Sequence, residues 1–150
     1  MPVADVRRYI EAPPEEVWGI ISDVERAPQW VTVMLHLVST TDNPVRLGAT
    51  YRERSKVGPS VSETEWRITR FEPPRVQGHE CSEPSMHAVL TMSVDANGTG
   101  TELRHHTEYQ MMPRIRPLGW LLEKLIVNRA MSRQMTATVD NLVDLAESHR

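Results

Sequence analysis

The stretch Arg8–Trp30, RYIEAPPEEVWGIISDVERAPQW, decides the fold. It reads as the end of a strand, two short helices and the entry to another strand. Pro13 and Pro14 stand where the first turn of a helix tolerates proline, because an N–H there would have no intrahelical partner. Glu15 and Glu16 suit the positive end of the same helix. Val17, Trp18, Ile20 and Ile21 supply its apolar side. Ser22 or Asp23 caps a second helix reaching about Ala27, and Pro28 stops it. Trp30 leads into a second strand through about Ser39.

Upstream, Val3–Ile10 reads as the first strand. Downstream the chain is almost entirely β-patterned until residue 112. Ala49–Val57, Ser62–Phe71, Arg75–Ser82, Met86–Val94 and Thr101–Met112 alternate with the period of a strand. Gly58-Pro59, Pro73-Pro74, Glu83-Pro84 and Asn97-Gly98 separate them, and Asn-Gly is the strongest hairpin signal of the set. Every interval is short, so neighbours are expected to pair as antiparallel hairpins. From Leu118 the period becomes helical, with Leu118, Leu122, Leu125, Met135, Val139, Leu142 and Ala146 on one stripe. Asn128, Arg129 and Ser132 interrupt that stripe. They either line a cavity or mark where the helix overhangs the sheet and meets water. The expectation is an α+β chain forming one domain over residues 1–150. A seven-stranded curved antiparallel sheet wraps a long C-terminal helix, two short helices lie between strands 1 and 2, and a hole remains between sheet and helix.

Composition narrows the function. With 150 residues, 39% hydrophobic and 25% charged, the chain can bury a real core and lacks the signature of disorder. A net charge of −3 gives no electrostatic ground for binding nucleic acid or an anionic membrane. Cys81 is the one cysteine, which excludes an internal disulfide and fits a reducing compartment. MPVADVRRYI lacks the apolar core of a signal peptide, and GWLLEKLIV is too short and too charged to span a bilayer. A cytoplasmic location follows as the expectation. Eight methionines and four tryptophans accompany a single phenylalanine. Methionine fills irregular space, and ordinary core filling is the plain reading of each.

Hairpin geometry assigns the inward face. In Met86–Val94 the apolar set is Met86, Ala88, Leu90, Met92 and Val94. In the last strand Leu103, His105, Thr107, Tyr109 and Met111 form the less charged set. A two-residue Asn97-Gly98 loop pairs Leu90 with His105, Ala88 with Thr107 and Met86 with Tyr109, and paired residues share a face. A loop of two or four residues around Glu83-Pro84 puts Gln77, His79 and Cys81 on the same side. About four residues at Phe71–Pro74 align Ile68 with Gln77 and Trp66 with His79. A Gly58-Pro59 loop then turns Tyr51 and Glu53 inward, near Trp66 and Thr64. A one-residue bulge would flip everything beyond it. The concave face therefore mixes apolar and polar groups. Tight packing would leave the polar ones unpaired at a cost, whereas a cavity holding water or a ligand accepts them. Arg52, Arg54, Lys56, Glu63, Glu65 and Arg67 are expected on a solvated convex face with cross-strand pairs.

His105 is the candidate catalytic residue, since an imidazole near neutral pKa can move a proton to or from a carbonyl substrate. Tyr109 or Tyr51 can hydrogen-bond a developing enolate, and Glu53 can orient or protonate. The alternative is a satisfied core histidine. His79, Cys81 and His105 carry no CxxC or HxxxH spacing, so no metal is expected, and Cys81 is expected to behave as a small hydrophobe. No cofactor motif is present.

The order of elements resembles the Bet v 1-like, or START-like (SRPBCC), superfamily with its helix-grip fold, and most of all its polyketide cyclase/dehydrase branch. The likeness is carried by IEAPPEEVWGIISD, the exit Ala27-Pro28-Gln29-Trp30, and Gly48 leading into Tyr51. It extends to WRITRFEPPR (Trp66 to Arg75) and to Pro117-Leu118-Gly119-Trp120-Leu121-Leu122 opening the last helix. The resemblance implies an apolar cavity between sheet and C-terminal helix, and no catalytic signature transfers residue by residue.

The leading expectation is a protein that binds a hydrophobic or aromatic small molecule, lipid-like or polyketide-like, in that cavity. Apolar wall is assigned to Trp66, Ile68, Met86, Ala88, Leu90, Met92, Leu103 and Met135. Polar contacts are assigned to Tyr51, Glu53, Thr64, His79, Cys81, His105, Thr107 and Tyr109, with Arg129 and Ser132 from the helix. The alternative is a cyclase or dehydratase using His105 as acid/base, and a third reading is a protein-interaction module. Nucleic acid and integral membrane segments are not expected among its partners.

Overall fold

The computed structural model describes residues 2–57, 60–84, 86–111 and 120–148. β1 (Val3–Ile10), β2 (Met34–Thr40), β3 (Thr50–Val57), β4 (Ser60–Glu72), β5 (Val76–Glu83), β6 (Met86–Asn97) and β7 (Gly100–Met111) form one antiparallel sheet. Their spatial order is β1-β7-β6-β5-β4-β3-β2. The helix α1 (Pro14–Ser22) and a 3-10 helix (Val24–Gln29) lie between β1 and β2, and α2 (Trp120–Glu147) follows β7. This is the helix-grip arrangement.

Pro14 opens α1, with Glu15 and Glu16 in its first turn, and Val17, Ile20 and Ile21 are buried. The second short helix differs from expectation in two ways. It runs through Pro28 to Gln29 as a 3-10 turn, and neither Ser22 nor Asp23 caps it with a side chain. Instead Asn43 reaches across from the loop after β2: its Oδ1 accepts the Val24 N–H at 3.0 Å and its Nδ2 donates to Asp23 at 3.0 Å. The second strand also starts later than the sequence suggests, at Met34 rather than Trp30. Residues 30–33 are held as a turn, with Val31 N–H donating to the Ala27 carbonyl at 2.8 Å. Thr32 fastens that turn to α2, its backbone N–H donating to Thr138 Oγ1 at 3.0 Å and its hydroxyl to the Gln134 carbonyl at 3.1 Å. These contacts with the far end of the chain override the extended pattern.

The register preserves the expected faces while shifting several partners. Between β6 and β7 the pairs are Met92–His105, Leu90–Thr107 and Ala88–Tyr109, two residues from the expected alignment. The turn residues are Gly98 and Thr99, with Gly98 at φ +61 as the first central position of a type II′ turn demands. A slip of two keeps side chains on their face. Between β4 and β5, Trp66 pairs with Cys81 and Ile68 with His79, rather than with His79 and Gln77. Three residues join these strands, which alone would invert the faces, and a bulge between Ile68 and Arg70 restores them. Gly78 permits the bulge, since a Cβ there would lie 2.8 Å from Arg70 Cβ. Tyr51 pairs with Trp66 and Glu53 with Thr64, as expected; the Gly58-Pro59 loop itself lies outside the described residues. On the convex face Arg52 reaches Glu63 at 3.6 Å and Glu65 at 3.8 Å.

The two halves of α2 behave differently. Met131, Met135, Val139, Leu142 and Ala146 are buried against the sheet, whereas Leu121, Leu122, Leu125 and Ile126 are 50–68% exposed. The apolar stripe runs on both sides of the polar interruption at Asn128, Arg129 and Ser132, but only its C-terminal part is packed against the sheet. Leu118 and the proposed Pro117-Leu118-Gly119 opening lie outside the described residues.

Candidate functional site

Between the concave face of the sheet, the 3-10 helix and α2 lies a pocket of about 90 Å³. That exceeds what one water molecule needs, and is less than the roughly 150 Å³ of an engineered cavity that admits benzene. β3 contributes Tyr51 and Glu53, β4 Trp66 and β5 His79. β6 contributes Met86, Ala88, Leu90 and Met92, β7 His105 and Thr107, and α2 Met135. All of these were candidates from sequence. The remaining candidates lie elsewhere. Thr64 is buried behind Glu53, Ile68 sits in a second apolar cluster, and Cys81 and Leu103 are fully buried in the main core. Tyr109 is buried too, and its hydroxyl donates to Asn128 Oδ1 at 3.0 Å, pinning α2 to β7. Arg129 and Ser132 do not line the pocket: both are exposed on the outer side of α2, while Met131 between them is buried.

Sequence reasoning missed the wall supplied by residues 21–45. Trp30, read as a strand residue, is 3% exposed and lines the pocket, with Val24, Val31 and Met34 beside it. Met131 and Thr138 complete the helix side. Met34, Met86, Met92, Met131 and Met135 are all the methionines whose side chains are described, and every one lines the pocket. The excess of methionine in the composition was the available signal. Thioether chains have three rotatable bonds and adapt to irregular contents.

One buried hydrogen-bond chain is internally complete. Tyr51 Oη lies 2.8 Å from His79 Nδ1, His79 Nε2 lies 3.0 Å from Gln77 Oε1, and Gln77 Nε2 donates to Ser22 Oγ at 2.6 Å. An amide oxygen only accepts, so His79 carries its proton on Nε2 and Tyr51 donates to Nδ1. Burial lowers the His79 pKa to about 3, aided by repulsion from His105. Burial likewise raises the Tyr51 hydroxyl well above its usual range. The chain is therefore neutral and holds β3, β5 and α1 in register.

Glu53 is different. Its Oε1 accepts from Trp66 Nε1 at 2.9 Å and from Thr64 Oγ1 at 3.4 Å. Burial outweighs those two bonds and pushes its pKa up to about 7. Among the described residues no Lys or Arg lines the pocket to favour the carboxylate. His105, paired with Met92 on the adjacent strand, is pushed down to about 4 by burial, the chief cause, and remains neutral near pH 7. Of the two groups, Glu53 is the one poised to exchange a proton near neutrality. Cys81 is pushed up to about 12 by burial, so its thiol stays protonated and unreactive.

Two buried polar atoms of the wall have no hydrogen-bond partner among the described residues: Trp30 Nε1 and His105 Nδ1. Buried polar atoms are rarely left so, and each one calls for an occupant or an explanation.

A curved antiparallel sheet closed over a long C-terminal helix in this way is the helix-grip fold. The chain belongs to the family described as polyketide cyclase / dehydrase and lipid transport, whose profile matches residues 1–147. No curated protein sequence matches it. Among solved structures it is similar to a protein from Thermus thermophilus, with 20% identity, TM-score 0.81 and 99% of each chain covered. It is also similar to the Zhui aromatase/cyclase from Streptomyces sp. R1128, with 14% identity, TM-score 0.81, and 97% of this chain and 93% of that one covered. A START superfamily protein from Mycobacterium smegmatis matches over 100% of both chains, with 11% identity and TM-score 0.78. At these identities the likeness is one of fold. No helix among the described residues is long and apolar enough to cross a membrane.

Proposed function

We propose that the protein binds a compact hydrophobic or aromatic small molecule between the sheet and α2, within one helix-grip domain spanning residues 1–150. The pocket carries this reading: apolar and methionine-rich walls surround open space, with a few polar side chains among them. Family membership supports it, since the family's description includes lipid transport. The resting volume suits a ring-sized ligand better than a long acyl chain. The single buried thiol of Cys81 supports a reducing, cytoplasmic setting. Native mass spectrometry of gently purified protein tests the reading. A one-to-one adduct of a nonpolar compound, lost on organic extraction, is expected; a consistently bare chain mass would count against it.

The second reading is an enzyme that cyclises or dehydrates a carbonyl compound in the same pocket. His105 from β7 and Glu53 from β3 both line the pocket, which favours it. Glu53, with its pKa near 7, would exchange the proton, and His105 would hydrogen-bond the substrate oxygen. Glu53→Gln should then abolish turnover of a substrate that still binds, and undiminished turnover would remove Glu53 from the chemistry.

A further inference from the structure

We propose that the N-terminal half of α2, with the basic residues around it, docks on the surface of an anionic phospholipid bilayer. Leu121, Leu122, Leu125 and Ile126 are 50–68% exposed and fall within six consecutive residues. The other large apolar side chains exposed among the described residues, such as Val3, Leu35, Leu47 and Val61, are spread over β1, β2, β4 and a loop. Scattered apolar side chains are ordinary on a protein surface, whereas a contiguous patch marks a contact. Leu122, Ile126, Arg129 and Arg133 stand at i, i+4, i+7 and i+11 of α2, so one stripe of the helix runs from apolar to basic. Arg129 and Arg133 are exposed, and neither has an acidic partner among the described residues. Met131 and Met135, on the opposite face, are buried.

Charge selects the partner. The overall −3 hides an uneven distribution. Residues 112–133 hold Arg114, Arg116, Lys124, Arg129 and Arg133 against Glu123 alone, a net +4, so the rest of the chain carries −7. A bilayer with anionic headgroups suits both parts of the stripe. Its acyl chains take up the leucines just below the surface, and its phosphates accept hydrogen bonds from the guanidinium groups. Nucleic acid would satisfy the arginines and leave four apolar side chains in water. A second copy meeting this face about a two-fold axis would set the same positive charge against itself. Surface contact needs no spanning helix, and none among the described residues is long and apolar enough to cross. Met131 and Met135 line the pocket from the other side of the same helix, so docking brings the pocket's helical wall close to a reservoir of nonpolar molecules.

Flotation of the full chain with unilamellar vesicles tests this, using phosphatidylcholine alone and phosphatidylcholine with one-third phosphatidylglycerol. Binding to the anionic vesicles should be roughly tenfold tighter or more and should weaken as salt is raised, because each basic residue near such a surface contributes about fivefold. Arg129→Gln combined with Arg133→Gln should weaken it by roughly tenfold or more. Leu122→Gln combined with Ile126→Gln should weaken it by a similar factor. Both double variants should keep the wild-type Tm, because the replaced side chains are exposed. No binding to the anionic vesicles at low salt would overturn the proposal, as would binding that survives both double variants. Binding to soluble polyglutamate as tight as to the vesicles would assign the surface to an acidic partner and overturn it. A dimer in sedimentation velocity that dissociates in the Leu122→Gln/Ile126→Gln variant would assign the face to a second copy and likewise overturn it. An empty pocket leaves each of these outcomes unchanged, so the binding reading above stands or falls separately.

Discussion

The layer between sheet and helix is built to different rules at its two ends. Toward α1 and the C-terminal turns of α2, Ile10, Val17, Leu103, Val139 and Leu142 are all 0% exposed and belong to one apolar cluster. None of them lines the pocket. Toward β3, β4 and β5, the same sheet face presents Tyr51, Glu53, Trp66 and His79 around open space. Fold alone does not decide which end closes. Branched aliphatic side chains fill the first end, whereas methionines and polar groups stand back from one another at the second.

Truncation at each end sharpens that contrast most. Leu142→Ala should cost about 3 kcal/mol or more in urea denaturation, because it opens a new cavity in a filled region. Met131→Ala, whose side chain already borders empty space, should cost less, about 2 kcal/mol, and enlarge the pocket. Equal costs would mean that the two ends are packed alike.

Titration separates the ends next. Glu53 has a folded pKa of about 7 against 4.5 for the free group, so the folded state holds the proton more tightly. Its stabilising share is fully present below pH 4.5 and is lost as pH rises through about 7, a change of about 3 kcal/mol. His79 and His105 act in the opposite sense. Their folded values of about 3 and about 4 lie below the ordinary 6.5, so their contribution is intact above pH 6.5 and is lost as pH falls. Stability should therefore peak near pH 6.5. Glu53→Gln should remove the decline above pH 6.5 and steepen the rise between about pH 4.5 and 6.5, where Glu53 opposes the two histidines. A wild-type curve flat between about pH 5 and 8 would contradict the assignment.

Tyr51→Phe probes the neutral chain within the pocket wall. It strands His79 Nδ1 in a buried site and should cost about 2 kcal/mol by thermal or urea melting. Leu122→Ala, on the overhanging half of α2 and 63% exposed, should stay within about 0.5 kcal/mol. A larger loss there would mean that something covers this face in solution.

Much of this contrast was legible in the chain, and the failures have identifiable causes. The inward set on β3 to β7 followed from alternation and turn chemistry. It survived a two-residue error at the β6–β7 turn because Gly98, not Asn97, takes the first turn position. The β4–β5 bulge was invisible, yet its single extra residue compensates for an odd-numbered loop. Trp30 was misread because its burial depends on Thr32 meeting Thr138, which lies 106 residues away. Asn43 as a cap is likewise a tertiary choice. The helical stripe of α2 keeps its period on both sides of Asn128, Arg129 and Ser132, and periodicity alone does not reveal where the sheet beneath it stops. The methionine excess reads from sequence as ordinary core filling, and only the fold gathers those side chains around the pocket.

The central claim is that the methionine-lined end receives a ligand while the aliphatic end does not. Protein carrying 13C-labelled methyl groups at methionine, leucine and valine can be titrated with ethylbenzene and followed by methyl NMR. Saturable shifts at Met34, Met86, Met92, Met131 and Met135, with Val139 and Leu142 unmoved, are the predicted result. Absence of any saturable shift, or shifts spread evenly over both ends, would contradict it.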